Sequence, residues 1–299
     1  MIAIIAPSLD DKRIYPIHSL TTGAVHRSRV VLRHASGKGA NAARAVARRG
    51  ASVMLSALAG EDMAVLLEDQ LGYIGVRLLV TSTQQATRSC ITVLEDDGGA
   101  TEFVQEALPV EAGERDLFVR NSLHCIDGAA AVLLAGSLPP GLPLDFYKLC
   151  VQRAVARGLP VVIDAQGLPL LSALPQSAAV VKINREEFEA IRAHIPGTRD
   201  TDDALAAELL SLGARCVIVT DGGNPVRVWQ GGISTMLPTR AAVLPVPAVR
   251  TVNPVGSGDV MSGGITLALA RGDSLEEAIH LGIEMATANA RTLLPGELS

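Results

Sequence analysis

Residues 253–264 read NPVGSGDVMSGG, and no other segment says more about the chain. Three small residues, Gly256, Ser257 and Gly258, stand directly before Asp259, and an apolar run typical of a helix follows at 260–270. A helix N-terminus has unpaired backbone N–H groups and partial positive charge, so this turn suits a phosphate or a developing anion. With Asp259 as a proton acceptor, the segment has what phosphoryl transfer to an alcohol requires. The alternative is a glycine-rich loop followed by an ordinary first-turn acid.

Composition limits the classes of protein to which the chain can belong. Of its 299 residues, 48% are hydrophobic but only 3% are aromatic, so we expect a large core of aliphatic side chains. A net charge of −5, with acids and bases interspersed, disfavours nucleic acid as a partner. No segment reads as a signal sequence or a membrane span. The four cysteines form no CxxC pair and are expected to be buried free thiols, which indicates a cytoplasmic protein.

Apolar runs alternate with amphipathic runs along most of the chain. This alternation predicts an α/β fold with a mostly parallel sheet that is covered by helices on both faces. Strands are predicted at 2–6, 130–135, 160–164, 179–183, 216–220 and 226–229, and helices at 41–49, 146–157, 186–194, 203–212, 260–270 and 274–292. Two other segments, 14–32 and 87–103, have strand-like composition, and the second contains the hairpin signal DDGG at 96–99. These segments predict a small antiparallel sheet that projects from the main domain.

A second glycine-flanked segment, SGKGAN at 36–41, precedes a predicted helix. Gly37 allows close approach of the backbone to a ligand, Lys38 adds a mobile positive charge, and Asn41 adds an amide that can both donate and accept. The GxxxxGK[ST] spacing of a Walker A loop is absent. The alternative interpretation is a plain helix start with a solvated lysine.

Polar residues also follow several predicted strands, where ligands bind in open α/β sheets. Ser137, in GSLPPG at 136–141, faces a substrate or belongs to an ordinary strand-exit turn, and Asp164 is a site residue or a helix cap. In KINREE at 182–187, Asn184 and Glu187 have the spacing of a cap with its acid, or place Glu187 near a hydrated Mg²⁺ on nucleotide phosphates. The glycines of TDGG at 220–223 suit close approach to a nucleotide. Arg88, in a strand-like segment, reads alone as a solvated edge charge.

The order of these motifs resembles that of the ribokinase-like, or PfkB, family of carbohydrate kinases. Asp10, SGKGAN, ATR, GSLPPG, KINREE, TDGG and NPVGSGD follow one another between residues 7 and 289. The details are most similar to the hexose-phosphate branch, with 1-phosphofructokinase, tagatose-6-phosphate kinase and the minor 6-phosphofructokinase, although Ser36 stands where that branch usually has glycine. The resemblance implies one three-layer αβα domain, 1–299, with a β-sheet lid formed by segments at about 10–32 and 87–106.

The resemblance also implies a role for each matching residue. Asp259 matches the catalytic base, and the three small residues before it match the anion hole. Asp10 and Asn41, with Gly37 and Ser137 beside them, match positions at the sugar, while Lys38 and Arg88 match positions at the phosphate it already carries. The implied nucleotide-binding positions are Lys182, Asn184, Glu187, Thr220, Gly222 and Asn289, with Glu187 also next to Mg²⁺ through water.

The expected reaction is transfer of the γ-phosphoryl group of ATP, with Mg²⁺, to a hydroxyl of a sugar phosphate such as fructose 1-phosphate, tagatose 6-phosphate or fructose 6-phosphate. A kinase of an unphosphorylated sugar or nucleoside is the alternative, and it would give the two cations Lys38 and Arg88 nothing to bind. A catalytically silent sugar-phosphate sensor is disfavoured by the intact Asp259, and an oxidoreductase by the lack of GxGxxG. A homodimer through the lid is also expected, with no nucleic acid or membrane partner.

Overall fold

The computed structural model describes residues 1–175, 177, 179–195, 201–231 and 241–299. Its strands are β1 (Ile2–Ala6), β2 (Asp10–Ile17), β3 (Leu32–Ser36), β4 (Val53–Gly60), β5 (Arg77–Thr83), β6 (Ser89–Glu95), β7 (Ala100–Val104), β8 (Ala131–Ala135), β9 (Val161–Asp164), β10 (Val180–Asn184), β11 (Cys216–Asp221), β12 (Asn224–Gln230) and β13 (Ala242–Leu244). Its α-helices are α1 (Lys38–Arg48), α2 (Glu61–Leu67), α3 (Ala112–Asp127), α4 (Phe146–Val155), α5 (Gly167–Ala173), α6 (Arg185–Ile191), α7 (Asp202–Ser211), α8 (Ser257–Arg271) and α9 (Leu275–Ala290). A π-helical turn, Glu68–Gly72, extends α2, and a 3₁₀ turn, Arg192–His194, follows α6.

The large sheet has the strand order β13-β12-β11-β10-β9-β8-β1-β4-β5. Its strands pair in parallel from β5 to β11, and β12 and β13 are added antiparallel at one edge. Helices cover both faces, as the alternation of apolar and amphipathic runs predicts. The α/β fold class is therefore confirmed.

The core consists of two layers, one on each face of the large sheet. Successive residues of β1 enter opposite layers, since Ile2, Ile4 and Ala6 pack with α1, α8 and α9, while Ala3 and Ile5 pack with α3 to α7. The first layer is aliphatic, and the buried aromatic side chains all lie in the second. All four cysteines are buried and unpaired, as expected. Among the described residues, no helix is both long and apolar enough to cross a membrane.

The small sheet, β3-β2-β6-β7, lies where the sequence predicts a projecting sheet. The β6–β7 hairpin turns at 96–99, as DDGG indicates, but residues 18–31 form no strand. The expectation of a purely antiparallel sheet is wrong, because β2 and β6 pair in parallel. Both strands follow parallel strands of the large sheet, β1 and β5, and so they leave the same edge in the same direction.

Several boundaries differ from the predicted ones, and two of them affect the site. Helix α1 begins at Lys38, so this lysine belongs to the first helical turn rather than to the loop before it. Helix α8 begins at Ser257, so Asp259 lies inside its first turn. The sequence did not identify β4, whose residues VMLSALAG suit helix and strand alike, nor α3, whose apolar and charged residues alternate without a clear period.

Candidate active site

A cavity of about 790 Å³ lies between the carboxyl ends of the parallel strands and the small sheet. Loops after β1, β8, β9, β10 and β11 form one wall, and β2, β6 and β7 contribute to the other. Most of the predicted site residues line it: Asp10, Gly37, Lys38, Asn41, Arg88, Ser137, Lys182, Asn184, Glu187, Thr220, Gly222, Gly256, Ser257, Gly258 and Asp259. The fold therefore brings together positions that are up to 249 residues apart, from Asp10 to Asp259.

Asp259 is held in the first turn of α8 by a defined set of contacts. The Nδ2 group of Asn41 donates to Asp259 Oδ2 at 2.8 Å, and Ser36 Oγ donates to Asn41 Oδ1 at 3.1 Å, which orients the amide. Gly256 caps the helix with φ of +83°, a left-handed conformation that favours glycine. The N–H of Ser257 donates to Pro254 O at 3.3 Å. The next N–H groups of the first turn, those of Gly258 and Asp259, have no intrahelical acceptor.

Asp164 is fully buried and binds two lysines. Its Oδ1 accepts from Lys38 Nζ at 2.7 Å, and its Oδ2 accepts from Lys182 Nζ at 3.1 Å and from Ser262 Oγ at 2.6 Å. Burial alone would raise the pKa of Asp164, but the two lysines lower it to about 2. The sequence left Asp164 open between a cap and a site residue, and the structure assigns it as the shared counterion of Lys38 and Lys182.

The pKa of Asp259 is shifted in the opposite direction. Burial and the nearby charge of Asp164 raise it from 3.8 to about 6, against the opposing effects of Lys38, Lys182 and the Asn41 hydrogen bond. Two carboxylates in one low-dielectric site therefore have pKa values that are pushed apart, a pattern typical of sites where one group stays ionised and the other exchanges a proton.

The two cations that were expected to converge have separate partners. Lys38 Nζ donates to Asp164 and also to Glu187 Oε1 at 2.6 Å, while Arg88 Nε donates to Asp10 Oδ1 at 2.6 Å. The expectation that a neutral substrate would give these cations nothing to bind is thus wrong, because each of them already forms an ion pair with a carboxylate of the protein.

Both interpretations of Asn184 and Glu187 agree with their positions. The pair forms a capping box on α6, with Glu187 N donating to Asn184 Oδ1 at 2.8 Å and Asn184 N donating to Glu187 Oε2 at 3.1 Å. Both residues also line the cavity, and Glu187 faces Lys38 there. Among the described residues, no group of three or more His, Cys, Asp or Glu side chains could hold a metal ion directly. The carboxylate of Glu187 instead suits a cation that keeps its water and is held mainly by phosphate oxygens.

Asn289 is the predicted site residue that does not line the cavity. It is 1% exposed, and its Nδ2 donates to Val255 O at 3.2 Å and to Ser257 Oγ at 3.0 Å. Its Oδ1 accepts from Gly296 N at 2.6 Å, in a turn whose Pro295 packs on Gly256. Asn289 therefore supports the loop before α8 from behind, and the prediction of direct nucleotide contact is not supported by its position.

The sequence analysis missed two groups of residues that line the cavity. One is an apolar wall that includes Val226, Val246, Ile283, Ala286 and Ala290. In the sequence these residues are indistinguishable from core positions. The other group, on the small sheet, consists of Lys12, Cys90, Glu102 and Val104. The strand period of two places Lys12 on the same face of β2 as Asp10, and this signal was available in the sequence.

The αβα fold places a carboxylate, at the start of a helix, in a cavity at the sheet's carboxyl edge, which is where open α/β folds bind their ligands. The chain matches the model of the pfkB family carbohydrate kinases over residues 4–296, and it belongs to that family. It is accordingly a sugar kinase, a phosphotransferase with an alcohol group as acceptor.

Solved structures with the same fold include three of different specificity. Phosphofructokinase-2 from Escherichia coli, in a tetrameric inhibited form, is 23% identical with a TM-score of 0.81, covering 97% of this chain and 93% of its own. A possible 1-phosphofructokinase from Thermotoga maritima is 18% identical with a TM-score of 0.85, covering 100% and 94%. Ribokinase from Arabidopsis thaliana, complexed with ribose and ATP, is 20% identical with a TM-score of 0.69, covering 97% and 92%.

Proposed function

We propose that this kinase transfers the γ-phosphoryl group of ATP to a hydroxyl of a sugar phosphate of the fructose 1-phosphate, fructose 6-phosphate or tagatose 6-phosphate type. The observation that carries the proposal is Asp259, which has a raised pKa and lies in the first turn of α8 beside N–H groups without intrahelical acceptors. Phosphofructokinases among the similar folds and the hexose-phosphate form of the NPVGSGD segment support the acceptor class.

Asp259 takes the proton of the attacking hydroxyl in this proposal, and Asn41 keeps the carboxylate pointed into the cavity. The amides of the turn from Gly256 to Gly258 stabilise charge that grows as the bond to ADP breaks. Lys182 and Lys38, bound to Asp164, supply positive charge near the same turn. Asp10, on β2, and Arg88, directly before β6, orient the sugar, and the small sheet acts as a lid that excludes water.

The nucleotide base packs against the apolar wall, where Ile283 and Val246 provide an aliphatic surface in the same cavity as Thr220 and Gly222. Glu187 is the residue that would hold Mg²⁺ through water, and the ion would neutralise charge on the phosphates. Because Glu187 also accepts from Lys38, this lysine links the metal side of the cavity to Asp164.

The test is an ADP-release assay over fructose 1-phosphate, fructose 6-phosphate, tagatose 6-phosphate, fructose and ribose, with ATP and Mg²⁺. We expect the highest kcat/KM with one of the three sugar phosphates. A higher kcat/KM with fructose or ribose than with every sugar phosphate would overturn the acceptor class. Asp259→Asn serves as the control for turnover by a contaminating kinase.

One observation favours the alternative, a kinase of an unphosphorylated sugar or nucleoside. Lys38 and Arg88 are both neutralised by carboxylates of the protein, so neither requires an anionic substrate. The same assay decides between the two acceptor classes, because this alternative predicts a higher kcat/KM with a neutral acceptor. It also predicts that an Arg88 variant loses activity only because Asp10 loses its partner.

We also propose a homodimer through the small sheet. Ile91 and Phe103 face each other across β6 and β7 on the side opposite Cys90 and Glu102, and they are 37% and 61% exposed. Exposed apolar side chains on a sheet of this size suit a partner copy, and the phosphofructokinase-2 neighbour is tetrameric. Sedimentation should show a dimer that Phe103→Ser weakens, and a monomer at all concentrations would contradict it.

A further inference from the structure

Lys12 is a buried cation in the cavity wall that neither the motifs nor the family resemblance assigns. It lies on β2, two residues after Asp10, and only 3% of it is exposed. Because strand side chains alternate, Lys12 and Asp10 share the face of the small sheet that lines the cavity, while Arg13 points to the other side. Lys12 is therefore placed beside the proposed sugar position rather than beside the nucleotide.

Its partner is Glu102 on β7, another residue of the cavity wall. Lys12 Nζ donates to Glu102 Oε1 at 2.5 Å, and Thr92 Oγ1 donates to the same oxygen at 2.8 Å. The two ends of this pair differ in exposure, since the Lys12 side chain is 4% exposed and that of Glu102 is 35% exposed. The ammonium group is thus held inside the wall, while its carboxylate partner remains accessible.

A purely structural role explains this pair poorly. Burying the ammonium group of Lys12 costs desolvation energy, and replacing a buried ion pair by apolar side chains of similar volume is often neutral or stabilising. The small sheet has aliphatic residues available for such packing, as Ile14 and Leu94 show. A charge pair kept at the rim of a binding cavity instead indicates a role toward a ligand.

The charges around it also point to Lys12. An anionic acceptor needs a cation at the sugar end of the cavity. Arg88 lies there, but it donates to Asp10, the carboxylate that is also proposed to bind the sugar hydroxyls. Lys38 lies between Asp164 and Glu187. Lysine has a flexible stem and three donors, so Lys12 can turn from Glu102 to an anionic oxygen with little rearrangement of the strand.

We propose that Lys12 recognises the anionic group of the acceptor, and that Glu102 is the carboxylate with which this group competes for Lys12. The pair then discriminates between acceptors. The phosphate of a phosphorylated sugar takes the place of the Glu102 carboxylate as the partner of Lys12, whereas a neutral sugar has no group that can do so. This inference rests on the proposed function, because it presupposes a sugar-phosphate acceptor.

The test compares four variants in the ADP-release assay, with the best sugar phosphate of the three named above and with fructose. Lys12→Met should raise KM for the sugar phosphate by about ten- to a hundredfold, the effect of one lost charged hydrogen bond, and should leave KM for fructose and ATP unchanged. Lys12→Arg should retain most of the affinity. Glu102→Gln should lower KM for the sugar phosphate by about threefold or more, since a neutral amide competes less for Lys12.

Arg13→Met is the matched control, because Arg13 is the exposed neighbour of Lys12 on the same strand. Thermal melting confirms that each variant is folded. If Lys12→Met changes KM for both acceptors alike, Lys12 is merely structural and the inference is overturned. If Lys12→Met does not fold, the same comparison is made with Glu102→Gln. If the wild type itself prefers fructose, the proposed acceptor class fails and the inference fails with it. A wild type that prefers the sugar phosphate, with variants that keep the preference unchanged, overturns the role of Lys12 alone.

Discussion

Asn41 Nδ2 donates a 2.8 Å hydrogen bond to Asp259 Oδ2, joining the start of α1 to the start of α8 across 218 residues. Both helices begin at glycine turns, Gly37 and Gly256, and both turns lie at the edge of the cavity. The contact has two consequences, since it fixes the direction of the proposed base and stabilises its ionised form.

We expect Asp259→Asn to lose activity and gain stability. Base catalysis contributes roughly 10²–10⁴-fold, so kcat should fall by at least this factor while ATP still binds. The pKa of Asp259 is raised to about 6 in the fold. At pH 7 the carboxylate is ionised in both folded and unfolded chains, and its charge destabilises the fold by about 2–3 kcal/mol. Denaturant unfolding at pH 7 should show a gain of this order.

The gain has a pH window that serves as its control. It should be complete above about pH 6 and disappear below the ordinary carboxyl pKa of 3.8, where Asp259 is protonated in both states. A variant that melts like the wild type at pH 7, or that is less stable there, would contradict the raised pKa.

The pH profile of kcat/KM should have an acid limb near pH 6, because the base must be ionised to accept a proton. Asn41→Ala removes a hydrogen bond to the ionised form, so the limb should move to higher pH. Asn121→Ala, which loses an amide contact to Thr81, should leave the limb in place, because neither residue lines the cavity. An unshifted limb in Asn41→Ala would mean that another group controls it.

Gly258→Ala should reduce kcat. A Cβ atom at this position would lie 2.6 Å from Lys182 Nζ, so the methyl group displaces a lysine that is bound to Asp164. Because every backbone N–H of the turn is kept and only the end of the Lys182 side chain must move, the loss should be smaller than the roughly 3 kcal/mol typical of a missing transition-state donor. The matched control is Gly113→Ala in the first turn of α3, where a Cβ meets nothing within 4 Å. Equal kcat values for the two variants would argue against a cradle at this turn.

Lys38→Met should destabilise the protein and move the acid limb upward. It leaves Asp164 and Glu187 without the ammonium group between them, and removal of one partner of a buried pair costs about 3 kcal/mol or more. Lys38 also lowers the pKa of Asp259, so its loss should raise that pKa further. Adding Glu187→Gln should recover part of the stability, whereas Lys148→Met on the exposed face of α4 should change neither property. A stable Lys38→Met protein would show that the pair contributes nothing to the fold.

Much of the fold was predictable because its signals are local. Short apolar runs such as IAIIA at 2–6 and AVLLA at 131–135 read as buried strands from their own residues. The turns before α1 and α8 have a positive φ at Gly37 and Gly256, a conformation that favours glycine and so marks the turns in the sequence. Most of the residues predicted for the site follow these strands and turns, and so they reach the same cavity.

The sequence by itself thus determined the α/β class, most of the strands and helices other than β4 and α3, the glycine turns and the family, since each depends on neighbours in the chain. Only the tertiary structure decided which charges meet. Lys38 pairs with Asp164 and Glu187, more than a hundred residues away, and Lys12 pairs with Glu102 across the small sheet. Asn289 faces the back of the loop rather than the cavity for the same reason. A side chain's partner depends on how sheets and helices pack in three dimensions, and no local pattern in the sequence specifies which distant residues come into contact.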